Sequence, residues 1–294
     1  MSALAALAAL VLAVGWWLPE RLERAAWTAR APRAAAALWC ALLGFCATAL
    51  AMGAHQASAG HRATWLVSWL RAGEAASADE GWGGHAQALL LATAVFAAAA
   101  AVMAVGCVRA ARARARHRRL LGLIGRPAAD GTVLVDDPRP AAWCVPGRGG
   151  RIVLTRGAAE QLTAPQRAAV LAHERAHLAG RHHLPVAAVG ALGRALPWLP
   201  LACAAARRVP VLCEMAADDA AVRIAGRDAV AHALCRVAPH PAPEGALALG
   251  AHEAVERLRR LTTPQTELPA AARIACWTAA ALLPALPVLI ACGP

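Results

Sequence analysis

The chain has 294 residues, of which 59% are hydrophobic, with a mean hydropathy of +0.46 and a formal net charge of +12. That apolar fraction excludes an ordinary soluble domain and points to a membrane protein. The positive charge is carried by Arg alone, with no Lys, and its densest run adjoins an apolar stretch without interleaved aromatics. It therefore reads as membrane topology and anionic-lipid contact, with no direct nucleic-acid partner expected.

Four stretches are apolar over the roughly 20 residues that a bilayer crossing needs: Ala3 to Pro19, Ala35 to Ala54, Ala86 to Val108 and Arg273 to Cys292. The first has the length of a signal peptide, yet it lacks a basic n-region and runs through Trp16 and Trp17 into charges, as an anchored helix does. Arg21, Arg24, Arg30 and Arg33 come after the first stretch, and Arg109, Arg112, Arg114, Arg116, Arg118 and Arg119 after the third. The loop from His55 to His85 instead sets Arg62 and Arg71 against Glu74, Asp79 and Glu80. The positive-inside rule then places the N-terminus and this loop outside, and the region from Arg109 to about Pro269 in the cytoplasm. The organisation expected is a membrane domain over 1–118, a cytosolic domain over 119–269 and a C-terminal span over 270–294.

Within the cytosolic region, Val133 to Val135, Ala142 to Val145 and Arg151 to Thr155 read as short strands, the last two joined as a hairpin through Pro146 to Gly150. An antiparallel sheet is expected, whose edge either serves structure alone or accepts an extended peptide as an added strand. Thr163 and Gln166 then form a T-x-x-Q capping box with Pro165 in the first turn, and Gly180 is placed to end the helix. That helix carries His173-Glu174-Arg175-Ala176-His177, an H-E-x-x-H. Histidines one turn apart share a face and can both reach a metal, while Glu174 can reach a water held there.

His182 and His183 come directly after the helix, as spare ligands or, more simply, as solvated residues at a helix C-terminus. The apolar segment from His183 to Ala206 is interrupted by Pro185, Arg194, Pro197 and Pro200, and a single crossing there would put His173 and Glu214 on opposite sides of the bilayer. It reads as a re-entrant or membrane-hugging segment. Beyond it, Glu214-Met215-Ala216-Ala217-Asp218 offers a third metal ligand in Glu214 and, one turn on, a carboxylate in Asp218 to accept the other N–H of a ligating histidine. His252-Glu253 does not repeat the motif, because Glu256 stands where a second histidine would be; Val255 to Leu261 reads as an amphipathic helix docked on the domain or the membrane. The nine cysteines include no C-x-x-C pair and are expected to be free and mostly buried. The chain has no Tyr, so an oxyanion donor other than a metal has to be Arg, His or backbone; Arg223 and His232 are candidates.

Trp143 to Gly157, the H-E-R-A-H helix, Arg181-His182-His183, Pro197-Trp198-Leu199-Pro200 and Glu214 to Asp218 together resemble the BlaR/MecR-type membrane zinc metallopeptidases. These antirepressors belong to the gluzincin clan with HtpX and the CAAX prenyl proteases. The resemblance covers the cytosolic region and the order of three spans before it and one after. It implies a mainly α membrane protein of the bacterial-type cell membrane, with four transmembrane helices and a cytosolic α+β gluzincin-like zinc peptidase domain. It also implies one zinc ion per chain held by His173, His177 and Glu214, Glu174 as general base and Asp218 behind the ligands. The partner it implies is a protein substrate, in that family a winged-helix repressor of the BlaI/MecI type. The β-lactam sensors of the family carry a penicillin-binding domain after the last span, whereas this sequence ends at Pro294, so direct β-lactam sensing is not expected. HtpX-like membrane quality control and a non-catalytic zinc-bound signalling scaffold are the alternatives.

Overall fold

The computed structural model describes residues 3–58, 81–128, 130–147, 149–237, 247–263 and 266–292. Most of the loop read as external, His55 to His85, lies outside them. Helix α1 (Ala3–Leu12) passes through a π turn at Ala13–Trp17 into α2 (Leu18–Glu23), and a short α3 (Trp27–Arg30) leads into α4 (Pro32–Ser58). Helix α5 (Gly81–Ile124) has 44 residues, about 66 Å at 1.5 Å per residue, twice the thickness of a hydrocarbon core. The expected third span, Ala86 to Val108, is its first half. The helix does not stop at the basic run because Arg and Ala both favour helix, and nothing breaks the chain before Gly125.

Three helices among the described residues are long and apolar enough to cross a membrane: Leu4–Glu23, Pro32–Gln56 and Ala270–Ala291. The last comprises α12 (Ala270–Leu282) and α13 (Leu286–Cys292), joined by a 3-10 turn at Leu283–Ala285. Several side chains in the first half of α5 lie outside the described residues, so four spans are not established. Gln56 Nε2 donates to Ala291 O at 2.7 Å, tying the far ends of two spans together. At the near end, Arg207 pairs with Glu23 at 3.0 Å and Arg260 Nε donates to Ala29 O at 2.7 Å.

The sheet is mixed and four-stranded, which corrects the expected antiparallel one. Its order is β1 (Gly125–Pro127), β2 (Val133–Val135), β4 (Arg151–Thr155), β3 (Ala142–Val145). The hairpin β3–β4 is antiparallel, as expected, but β4 runs parallel to β2. The cause is burial: β4 carries Ile152, Val153 and Leu154, all buried, and takes a central position. A chain that leaves β2, skips one place and returns through a hairpin then meets β2 in parallel. β3 is left as an edge strand.

Helices α6 (Arg156–Gln161), α7 (Ala164–Ala179), α8 (His183–Ala195), α9 (Pro200–Ala225), α10 (Arg227–Arg236) and α11 (Leu247–Thr262) complete the fold. The segment 183–206 is thus no single helix: α8 ends at Ala195, a turn holds Pro197 and Trp198, and α9 starts at Pro200. That turn meets the first span, with Trp198 stacked on Trp16 at 6.1 Å between centroids. Helix α8 lies so close to α5 that a Cβ on Gly106 would stand 2.5 Å from that of Ala191. Helix α9 joins the two halves of the molecule. Its first part shares a core with the spans through Leu201, Val209, Leu212 and Met215 against Leu7, Trp39 and Phe45, and its second part lies along α7.

Candidate active site

Helix α7 begins as its capping signals require, because both arms of the Thr163/Gln166 box are formed and Thr163 N donates to Gln166 Oε1 at 3.0 Å. One face of the helix is buried through Ala169, Val170, Ala172 and Ala176, and this fixes its rotation so that His173, Glu174 and His177 meet the cleft. Gly180 ends the helix without taking a left-handed conformation; Arg181 does so instead, at φ 48°. Glycine is required at 180 for space, since a Cβ would stand 2.5 Å from His182 Nε2.

Packed along α7, the middle of α9 brings Glu214 and Asp218 beneath both histidines. His173 Nε2 lies 3.0 Å from His177 Nε2 and 3.3 Å from Glu214 Oε2, and His177 Nε2 lies 3.2 Å from Glu214 Oε1. One donor atom from each of His173, His177 and Glu214 falls within 4.8 Å of the others, so these three could hold a metal ion. Behind them, His173 Nδ1 lies 3.0 Å from Asp218 Oδ1, and Asp218 is 1% exposed. The three expected ligands and the carboxylate expected behind them therefore meet at one point.

Two further residues take places at the site that the sequence reading did not assign to them. His182, expected to be solvated, is buried, and its Nδ1 lies 3.0 Å from His177 Nδ1. It does for His177 what Asp218 does for His173: it engages the ring nitrogen that faces away from the metal position and so sets which nitrogen is free for a metal. The signal was present in its five-residue spacing from His177, but only the tight turn at Gly180 and Arg181 aims the ring back. His183 heads α8, and its Nδ1 is buried without a hydrogen-bond partner among the described residues. The second residue is Arg257 of α11, whose guanidinium donates to Asp218 Oδ2 and Oδ1 at 2.8 and 2.7 Å and lies 2.9 Å from Glu214 Oε2. The amphipathic reading of Val255 to Leu261 thereby gains its partner: α11 docks on the domain that carries the site, also through Arg208–Glu256 and Arg260–Asp219 pairs.

A cleft of about 620 Å³ opens in front of His173, His177 and Glu214, walled by α5, β3, α7 and α11. Glu174 faces it beside Cys144 of the edge strand; burial, and then the Glu174 carboxylate to which it hydrogen-bonds, push the Cys144 thiol up, so the thiol stays protonated. Trp143 Nε1 donates to His117 Nε2 at 3.0 Å and Arg118 to Pro146 O at 2.9 Å, bracing α5 against β3. Arg223 and His232 are exposed and do not line the cleft, so neither serves as an oxyanion donor there. Apart from the two motif histidines, the cationic or donor side chains on its walls are Arg114, His117, Trp143, Cys144 and Arg257. Eight of the nine cysteines are free, the side chain of Cys292 lying outside those described, with Cys46 and Cys213 buried but Cys235 exposed.

The donor set fits zinc, with two imidazoles, one carboxylate, the remaining ring nitrogens engaged, and an open side toward the cleft. Without a metal, burial opposes charge on His173, but the Asp218 and Glu214 carboxylates outweigh it and push its pKa up to about 10. For the metal-free fold, that bound proton stabilises fully below the ordinary value, and the contribution is lost as pH rises through about 10. A metal requires the neutral ring, so zinc uptake near pH 7 is expected to release about one proton, with affinity rising with pH. Calorimetry in buffers of different ionisation enthalpy reads this count, and zero release contradicts it. Replacing His182 by Phe is expected to weaken zinc binding about 10- to 100-fold by freeing the His177 ring; chelator competition giving wild-type affinity would remove His182 from the site.

Residues 108–211 match the family model of Peptidase family M48. The matched segment includes the end of α5, the sheet and both motif histidines, and stops short of Glu214. Together with the apolar helices, it supports a membrane metallopeptidase. Neither the curated proteins nor the solved structures include a match to the chain.

Proposed function

We propose that the chain is a membrane-anchored zinc endopeptidase whose ligands are His173, His177 and Glu214 and whose general base is Glu174. The observation that carries this reading is the convergence of two imidazole nitrogens and a carboxylate on one point, each imidazole backed by a buried partner, at the floor of an open cleft. Zinc, when bound, supplies Lewis-acid polarisation of a water and of the scissile carbonyl. An extended substrate lies along the free edge of β3 as an added strand, which brings a peptide carbonyl over the face of α7. Glu174 takes the proton of the attacking water and delivers it to the leaving amine. Asp218 and His182 hold the two imidazoles in register, and Arg257 holds the Glu214 and Asp218 carboxylates.

The cleft belongs to the half of the molecule joined to the spans where Glu23, Pro32 and Ala270 end or begin them, so substrates are cut close to a membrane surface. By the positive-inside rule, the arginines flanking those ends favour the cytoplasmic side. The resemblance to BlaR/MecR-type enzymes favours a cytosolic winged-helix repressor as substrate. An HtpX-like quality-control role fits the same site with a broader set of substrates.

A substrate trap separates these. Wild type and Glu174→Gln, expressed in a native-like host and purified in detergent, are compared for bound proteins and zinc. A repressor enriched on Glu174→Gln supports a signalling protease, a spread of membrane proteins supports quality control, and absence of zinc from both overturns the metallopeptidase reading.

A further inference from the structure

A second cavity, of about 650 Å³, lies behind α7, on the side opposite the cleft. Its walls come from α4, α7, α9 and α12, so it opens between two of the apolar spans and the back of the helix that carries the histidines. Alanine is the commonest lining residue, seven of 17, with Ile224 and Trp277 adding larger exposed apolar surface. Two charges interrupt that lining, Arg33 and Arg175. Both are exposed, and neither forms an ion pair among the described residues.

Depth along the spans explains this mixture. Arg33 is the second residue of the Pro32–Gln56 span and so stands at the membrane surface. Cys40, another lining residue, is seven positions further, about 10 Å deeper at 1.5 Å per residue. Trp277 lies two turns into the Ala270–Ala291 span from the same end. The cavity therefore starts at headgroup level with cations and continues into the acyl region with apolar walls. Its volume is that of a typical small-ligand site.

We propose that this cavity holds one anionic phospholipid of the adjoining leaflet, its phosphate between Arg33 and Arg175 and its upper acyl chain against Cys40 and Trp277. Neutral lipids supply the chain but leave the two guanidinium groups without a net counter-charge; soluble phosphate supplies the charge but leaves the apolar walls unfilled. His182 also lines the cavity, with its ring against His177, so the occupant touches the rear of the candidate metal site. The proposal depends on the spans being membrane-embedded and not on peptidase activity.

The test uses the full chain, purified in mild detergent, reconstituted in nanodiscs of phosphatidylcholine with or without phosphatidylglycerol, and examined by native mass spectrometry. Wild type is expected to retain one phosphatidylglycerol per chain, and the Arg33→Gln/Arg175→Gln double variant to lose at least tenfold in occupancy. Ala179→Trp, which fills the mouth while keeping both arginines, is expected to lose it likewise. Zinc content and melting temperature at wild-type values show that the variants are folded. Equal retention of both lipids by wild type, unchanged retention in the double variant, or displacement by millimolar glycerol 3-phosphate each overturns the lipid site. A chain that remains monodisperse without detergent would instead refute the membrane reading beneath it.

Discussion

Glu174→Gln is expected to keep wild-type zinc content and to lower peptide hydrolysis by about 10²- to 10⁴-fold, the range that a positioned general base contributes. Glu174 sits between His173 and His177 on α7, but its carboxylate is not one of the three donors that converge on the metal position. It faces the cleft and the Cys144 thiol of the edge strand, so it lies between the metal position and the backbone along which a substrate would run. Gln preserves shape and hydrogen bonding to Cys144 while removing proton affinity. His173→Ala is expected to differ by losing the metal itself. Metal analysis and cleavage of a quenched peptide are read on the same preparations. Retained hydrolysis in Glu174→Gln would remove the base assignment, and joint loss of zinc and activity would make Glu174 structural.

Much of this site was legible because it is written in local helical spacing. His173 and His177, and then Glu214 and Asp218, are each one turn apart, so a single rotational setting per helix presents both members together. The start of α7 was equally local, in the Thr163 to Gln166 box. Residues that support the site from a distance were not legible. Arg257 lies on an amphipathic helix in a chain of 30 arginines, and no local pattern distinguishes the one that turns inward. Strand β1, Gly125-Arg126-Pro127, has no alternation and contains Pro; it exists because Val133 to Val135 offers a free edge. The parallel pairing of β2 with β4 depends on which strand is buried deepest, a tertiary choice that the hairpin signal does not contain.

Arg257→Met is expected to destabilise the domain by about 3–5 kcal/mol, the cost of leaving a buried partner charge uncompensated, and to weaken zinc binding. In the native site, burial raises the Asp218 pKa, but hydrogen bonds from Arg257 and His173 more than reverse this and hold it below the usual carboxylate range. Its stabilising contribution is therefore present above that ordinary range and lost as pH falls through the depressed value. Burial likewise raises Glu214, but hydrogen bonds from both histidines and the charge of the same guanidinium hold it well below its ordinary value. Removing the cation leaves two carboxylates, one of them 1% exposed, one turn apart on α9 with only imidazoles to answer them. Asp218 then takes up a proton at higher pH, its grip on His173 Nδ1 weakens, and the metal loses a correctly held ligand, an effect of about 10- to 100-fold in affinity. Arg257→Lys keeps the charge but cannot span both carboxylates, so it is expected to fall between wild type and Met. Adding Asp218→Asn to Arg257→Met removes the orphaned charge and is expected to recover part of the stability but none of the zinc affinity. That split separates a residue that positions the metal ligands from one that merely packs; recovery of both together would show Arg257 to be structural only.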